Sequence, residues 1–409
     1  MIILKKQHRE NSPINWETRR LKYLASDVRD LADNNKNQTH LALENIESWT
    51  GKLLNVDDEM RLDSAKEFHK DDVLFGKLRP YLAKVHHAQF GGACVGELLV
   101  LRPKEEIAPE YLFYRLLSHD FISVVDNSTT GAKMPRAEWG FMSNLQLEYP
   151  VKKEQSAIAS YLDEKCALIG HVIEGKKKQI EILEEQRAAI INRSVTKGLD
   201  EKVEIKESGI EWIGKMPKIW DIKKLKTVFR FEKGKEAGLF TKEYVSDQKN
   251  IGEYPVYSGQ TEDEGVMGRI NSYIYDLDAT IFTTTVGAKV MTPMVIGGKF
   301  SLSQNCVLFI KQDKKIDVRY FYYQLFPMFK WEKDSIPSHM QPSLRVSDLN
   351  KYSIAYPIYE EQVKIANYIE EKTKFIDKFL KEIERSISLL NEYKTSLISH
   401  VVTGKVKVA

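Results

Sequence analysis

The chain has 409 residues, too many for one ordinary domain and enough for two to four with cores of their own. Hydrophobic residues make up 42% and charged residues 29%, the balance of a soluble globular protein with the extra charge that long helices carry. With 61 basic and 58 acidic residues the formal net charge is only +3, which excludes a bulk basic field and leaves nucleic-acid binding to local clusters.

The opening MIILKKQHREN turns to charge too early for a secretory signal, and no stretch approaches the ~18 apolar residues of a membrane helix, so a cytoplasmic protein is expected. Cys94, Cys166 and Cys306 are odd in number and far apart, which argues against a disulfide framework or a CxxC zinc site and for small buried side chains.

Between about Trp16 and Tyr149, β-like runs such as DDVLFGKLRPYLAKV and GELLVLRP precede a helical stretch, APEYLFYRLLSHDFISVV. YPVKKEQSAIASYLDEK then opens a long helix, with Pro150 in the position where a missing N–H costs nothing. From roughly Glu164 to Val195 this helix is predicted to be on the order of 45 Å long. Its heptad of Leu162, Ile169, Lys176, Leu183 and Ile190, joined by Ile173 and Ile180, makes one apolar stripe. Gly198 ends it. A charged, turn-rich connector follows, and then the order repeats: DATIFTTTVGAKVMTPMVI, SQNCVLFIK, DVRYFYYQLFPMFKWE and a second long helix from YPIYEEQVKIANYIEEK to Gly404.

A shift of 207 positions lays Tyr149 on Tyr356, Gln155 on Gln362, Ile169 on Ile376, Leu183 on Leu390 and Thr196 on Thr403. The second stripe is Ile369, Ile376, Ile383, Leu390 and Leu397 with Leu380 and Ile387. Two narrow heptad stripes bury best against each other, and a globular unit before each helix makes an antiparallel pair the natural solution. INWETRRLKYL and KIWDIKKLKTV repeat more faintly, sharing Trp16 with Trp220 and Leu21 with Leu225. Both globular units end in a polar loop holding Met134 or Met340. The fold class is α+β: two globular units with mixed sheets separated by two long antiparallel coiled-coil helices, with internal pseudo-two-fold symmetry. The helices agree while the globular sequences differ, so two different things are read.

The W-x-x-x-x-L-K pattern at each unit's start, LFGKLRPYLAKV, ESGIEWIGKMPKIW, YPVYSGQTEDEGVMG and the twin Y-P-x-x-x-E-Q helices resemble the DNA specificity subunit of type I restriction-modification systems, over essentially the whole chain. The resemblance implies a target recognition domain at 1–150, a spacer helix at 151–200, a linker at 201–217, a second target recognition domain at 218–356 and a second spacer helix at 357–409. It further implies that each domain reads one half of a split, asymmetric site in double-stranded DNA. The helices set the gap and dock two modification (methyltransferase) subunits, with restriction subunits joining the complex. S-adenosylmethionine, ATP and magnesium are then expected only in the partner subunits, with no cofactor, metal or catalytic centre here.

The residues agree with that expectation. No Pro-Pro pair exists for an adenine methyltransferase motif, and neither G-x-G-x-x-G nor a phosphate-binding P-loop occurs. His86 and His87 adjoin, a spacing that sends their rings to opposite strand faces. Asp163-Glu164-Lys165 and Glu370-Glu371-Lys372 mimic a nuclease motif but sit in helices, where ion pairs three or four residues apart explain them. Lys176-Lys177-Lys178 reads as a solvated face.

DNA contacts are nominated in matching places. The first unit offers Lys77, Arg79, Tyr81 and Lys84, then Thr129, Thr130, Lys133 and Arg136 in a polar loop. The second offers Thr283, Thr284, Thr285 and Lys289, then Ser338, His339, Gln341 and Arg345. Two other classes stay open: a coiled-coil scaffold whose globular ends bind proteins, and a nuclease or methylase acting alone. Steep salt dependence of DNA binding separates the first from a recognition subunit.

Overall fold

The computed structural model describes residues 15–32, 39–55, 65–129, 134–259, 262–287, 289–337 and 339–408. The chain forms two compact units, Met1–Lys177 with Glu384–Ala409, and Lys178–Ile383. Each unit therefore owns a globular part, the N-terminal portion of one long helix and the C-terminal portion of the other.

The long helices are Lys152–Lys197 and Tyr359–Val402. At 46 and 44 residues they reach about 65–70 Å, beyond the 45 Å counted for the first helix from Glu164 to Val195 alone, because the Lys/Glu-Glu-Gln turn that the sequence offers as the helix start adds a dozen helical residues before Glu164. Gly198 and Gly404 stop them at φ of 71° and 72°, the left-handed conformation that glycine adopts without a Cβ clash.

In the first unit Ile158, Ala159, Leu162, Ile169 and Ile173 share one core with Leu397, Ile398, Val401 and Val402. In the second, Ile191 and Val195 share a core with Ile365, Ala366 and Ile369. Early turns of one helix meet late turns of the other in both cases, so the segments pair antiparallel within each unit. Burial along the stripe is uneven. Leu162, Ile169, Ile173, Ile369 and Leu397 are buried, whereas Ile180, Leu183, Ile190, Ile376, Leu380, Ile383, Ile387 and Leu390 are half-buried. Two stripes alone cannot exclude water completely; full burial occurs where a globular part closes over them, at roughly 1.5–3 kcal/mol per large side chain.

The main sheets share one plan. The first unit orders its antiparallel strands Ala25–Val28, Leu98–Pro103, Val73–Gly76, Val85–His87, and the second orders Phe229–Lys233, Cys306–Lys311, Tyr275–Thr284, Pro293–Leu302 before adding two more. Even the register is kept, Phe75 facing Leu99 as Thr283 faces Val307. A separate hairpin-like pair follows suit, Glu17–Arg20 with Gln146–Tyr149 and Asp221–Lys224 with Ser353–Tyr356.

Three local expectations are corrected. The single helix expected over APEYLFYRLLSHDFISVV is two, Pro109–Leu117 and His119–Asn127, because buried Ser118 is extended at ψ 144°. Residues 201–217 are more than a connector: Ile205–Glu207 pairs with Lys215–Pro217, and Ile213 and Met216 enter the second core. The acidic triplets do not pair at three or four residues. Lys165 and Lys372 bond their neighbours Glu164 and Glu371, while Asp163 accepts from Tyr114 Oη at 2.6 Å and Glu370 from Arg319 at 3.0 Å.

Candidate nucleic-acid interface

In each unit one loop leaves the strand nearest the middle of the sheet and is gripped by a second loop. Lys77, just after Val73–Gly76, donates its N–H to Glu97 O at 2.9 Å and accepts at its carbonyl from Ala137 N at 2.9 Å. Thr285, just after Tyr275–Thr284, donates to Asn305 O at 2.8 Å and accepts from Leu344 N at 2.9 Å. Lys77 and Thr285 thus hold the same post, and each pair of nominated clusters is one surface rather than two. Ala137 and Leu344 are separated by the same 207 positions as the helices, so Met134 stands opposite Gln341; the match of Met134 with Met340 is off by one.

The loop backbones coincide further. Arg79 and Ala83 are left-handed at φ 52° and 46°, and so are their counterparts Gly287 and Met291 at 88° and 58°. A residue with a Cβ pays about 1–2 kcal/mol for this conformation, which Gly287 avoids and Arg79 does not. What holds Arg79 there is its N–H on Pro135 O at 2.8 Å and the turn Pro80–Leu82 that follows, closed by Leu82 N on Arg79 O at 2.9 Å. Bulky residues kept in this region concentrate at functional sites.

The nominated side chains separate into free and committed groups. Arg79 is exposed, Tyr81 is 47% exposed, Lys77 is half-exposed, and Lys289, His339, Gln341 and Arg345 all reach solvent. Among the described residues no carboxylate lies within ion-pair distance of Arg79. Lys84 is committed, its Nζ donating to Leu43 O at 2.6 Å, and Arg136 forks onto Glu97 at 3.1 and 3.3 Å. Thr129 caps its helix by donating to Asp126 O at 2.7 Å. Thr283 and Thr284 are withdrawn as DNA contacts: both are fully buried, Thr283 Oγ1 without a partner and Thr284 Oγ1 donating to Lys289 O. Thr285 acts through its backbone. Thr130, Lys133 and Ser338 lie outside the described residues.

Glu97 was not singled out from the sequence, yet it holds both Lys77's backbone and Arg136's guanidinium. A second shift, 208 positions instead of 207, lays Lys77 on Thr285 and Arg79 on Gly287, and would have exposed the shared loop. The arrangement offers an immobilised backbone carrying an unpaired cation beside an exposed ring, suited to phosphates and base edges.

Other chemistry is limited. Burial pushes the Cys94 and Cys306 thiols up to about 12 and raises Cys166, which keeps them neutral. His86 Nδ1 donates to Gly51 O at 2.8 Å, while His87 faces Asp71 at 3.3 Å, so the adjacent rings do diverge. Asp71, His87 and Glu110 nevertheless bring one ligand atom each to within 4.8 Å of the others, a grouping the sequence did not announce. Among the described residues no helix is long and apolar enough to cross a membrane.

Comparison with known proteins points one way. A family model described as the type I restriction modification DNA specificity domain matches twice, at residues 13–182 and 217–388. The chain is similar to the type I restriction enzyme MjaVIII specificity subunit of Methanocaldococcus jannaschii, 26% identical over 336 residues, 78% of this chain and 75% of that one. It is also similar to the putative MjaX specificity subunit of the same organism, 24% identical over 441 residues, 97% of this chain and 95% of that one. In fold it matches a chain solved in work on complex assembly and conformational transition of the type I R-M system, with TM-score 0.69 and 16% identity over 97% of this chain and 99% of that chain.

Proposed function

This chain belongs to the type I restriction modification DNA specificity family, and on that premise we propose that it is the sequence-specific DNA recognition subunit of a type I restriction-modification complex. Each globular part reads one half of a bipartite, asymmetric site in double-stranded DNA. The long helices set the gap and dock two modification subunits, through which restriction subunits join. The chain is non-catalytic, and S-adenosylmethionine, ATP and magnesium act in the partners.

The observation that carries this reading is the common frame at Lys77 and Thr285. Identical backbone hydrogen bonds and left-handed positions support loops of different side chains, Arg79 and Tyr81 in one unit against Gly287 and Lys289 in the other. A conserved frame with exchanged side chains is what two half-sites of unlike sequence require. A family match in both globular parts leaves the protein-binding scaffold without support.

The test is reconstitution of the full chain with its cognate modification subunit. We expect two modification subunits per chain and DNA affinity that falls steeply with added salt. A chain that forms no such complex, or a complex indifferent to DNA, would overturn the reading.

A further inference from the structure

Within the second unit the long helices are tied by a polar clasp. Arg187 Nε donates to Asp377 Oδ1 at 2.7 Å, and the guanidinium lies 5.5 Å above the Phe326 ring. The 207-position repeat carries Arg187 to Lys394 and Asp377 to Gly170, both in the first unit. There the cation is kept and the carboxylate is missing.

Among the described residues, the first unit brings no other carboxylate to ion-pair distance of that cation. A Cβ built on Gly170 would have Lys52 Nζ, 3.8 Å away, as its nearest neighbour. Among the described residues neither Lys52 nor Lys394 has a carboxylate within ion-pair distance. Burial pushes the Lys394 pKa down and the facing charge of Lys52 adds to this, while Cys166 and the more distant Glu47 pull the other way. Both lysines line a groove of about 990 Å³ that also includes Gly170. Its other lysines are already matched, Lys177 to Glu174 at 3.1 Å and Lys405 to Asp120 at 3.8 Å. Glu47 is engaged by Thr50, and Glu392 accepts from Ser388. Two converging, unmatched cations are left on an open wall.

Resting on the reading that modification subunits dock on this chain, we propose that the groove receives an acidic side chain of the modification subunit bound at the first unit. Its carboxylate sits between Lys52 and Lys394, taking the place that Asp377 holds beside Arg187. The occupant is a protein side chain rather than a free anion because the helical stretches that carry Gly170 and Lys394 also expose Leu168, Val172, Leu389 and Tyr393, at 58%, 42%, 54% and 58%, outside the groove's own lining. This is apolar area that a docked macromolecule covers while its carboxylate enters the groove. The two docking positions are therefore unequal: one is completed by the partner's carboxylate, the other by the chain's own Asp377.

The experiment compares wild-type chain, Gly170→Asp, Lys394→Met and Lys177→Met, each mixed with cognate modification subunit, reading stoichiometry and stepwise affinity by mass photometry and folding by thermal melting. Gly170→Asp supplies the carboxylate from within, so it should melt no lower than wild type yet weaken one docking step at least tenfold, leaving complexes with a single modification subunit. Lys394→Met should weaken the same step, and Lys177→Met neither. Wild type binding two subunits while a folded Gly170→Asp also binds two at unchanged affinity would overturn this inference alone. Wild type binding none would overturn it together with the docking reading beneath it.

Discussion

Gln155 and Gln362 hold one post in two units. Gln155 Oε1 accepts from Ala108 N at 2.7 Å while its Nε2 donates to Pro150 O at 2.8 Å; Gln362 Oε1 accepts from Asp317 N at 3.0 Å and its Nε2 donates to Pro357 O at 2.9 Å. Both side chains are fully buried. Each glutamine therefore staples the start of a long helix to the turn that opens the globular part's own helix.

Replacing Gln155 with leucine strands three backbone groups, Ala108 N–H and the carbonyls of Glu106 and Pro150, and replacing Gln362 strands two, at about 1–3 kcal/mol each where they stay buried. Gln155→Leu should lower the stability of the first unit and Gln362→Leu that of the second, each by about 2–3 kcal/mol. Urea unfolding followed by hydrogen exchange on peptides from each unit checks the assignment; equal loss in both units from one substitution would contradict it.

Arg79 should act on DNA as a single unpaired cation. Arg79→Ala in the reconstituted complex is expected to weaken binding and flatten the plot of log affinity against log salt by about 0.9, one phosphate's worth of counterions. Arg79→Gly should do the same without lowering the melting temperature, because glycine is at ease in the left-handed position Gly287 already occupies.

Thr283 should be silent in recognition. Its buried hydroxyl lacks a partner, so Thr283→Val removes an unmatched polar atom at nearly constant volume and is expected to stabilise the second unit by about 1 kcal/mol. DNA affinity should not change, which a binding titration beside the unfolding curve will show.

His86 makes the first unit acid-sensitive. Burial lowers its pKa, so between the folded value and about 6.5 the unfolded chain binds the extra proton. Stability from this group is complete above about pH 6.5 and falls as pH drops toward the folded value. His86→Asn, which keeps an N–H for Gly51 O, should flatten the dependence of melting temperature between pH 7.5 and 5.

The helices and their repeat were legible because identical residues recur at one spacing and Ile and Leu fall every seventh position. Their starts were legible too, at the Tyr-Pro and the Glu-Gln that follows it; the burial of Gln155 was not, because it depends on Ala108, a residue far off in sequence. The surface at Lys77 and Ala137 was legible only as two clusters, since the hydrogen bonds joining them span sixty residues. Thr283 and Thr284 misled for a different reason. Threonine is as common inside a strand as on a reading loop, and only the strand's extent, to Thr284, tells which side of the boundary each falls on.

The most direct measurement is a genome-wide map of methylated bases in cells that carry the modification subunit with either the wild-type chain or a chimera. In the chimera residues 15–149 are exchanged for the corresponding part of a relative with a different target. One half of the methylated sequence should change while the other half and the gap stay as they were. Alteration of both halves, or no alteration at all, would contradict independent reading by the two units.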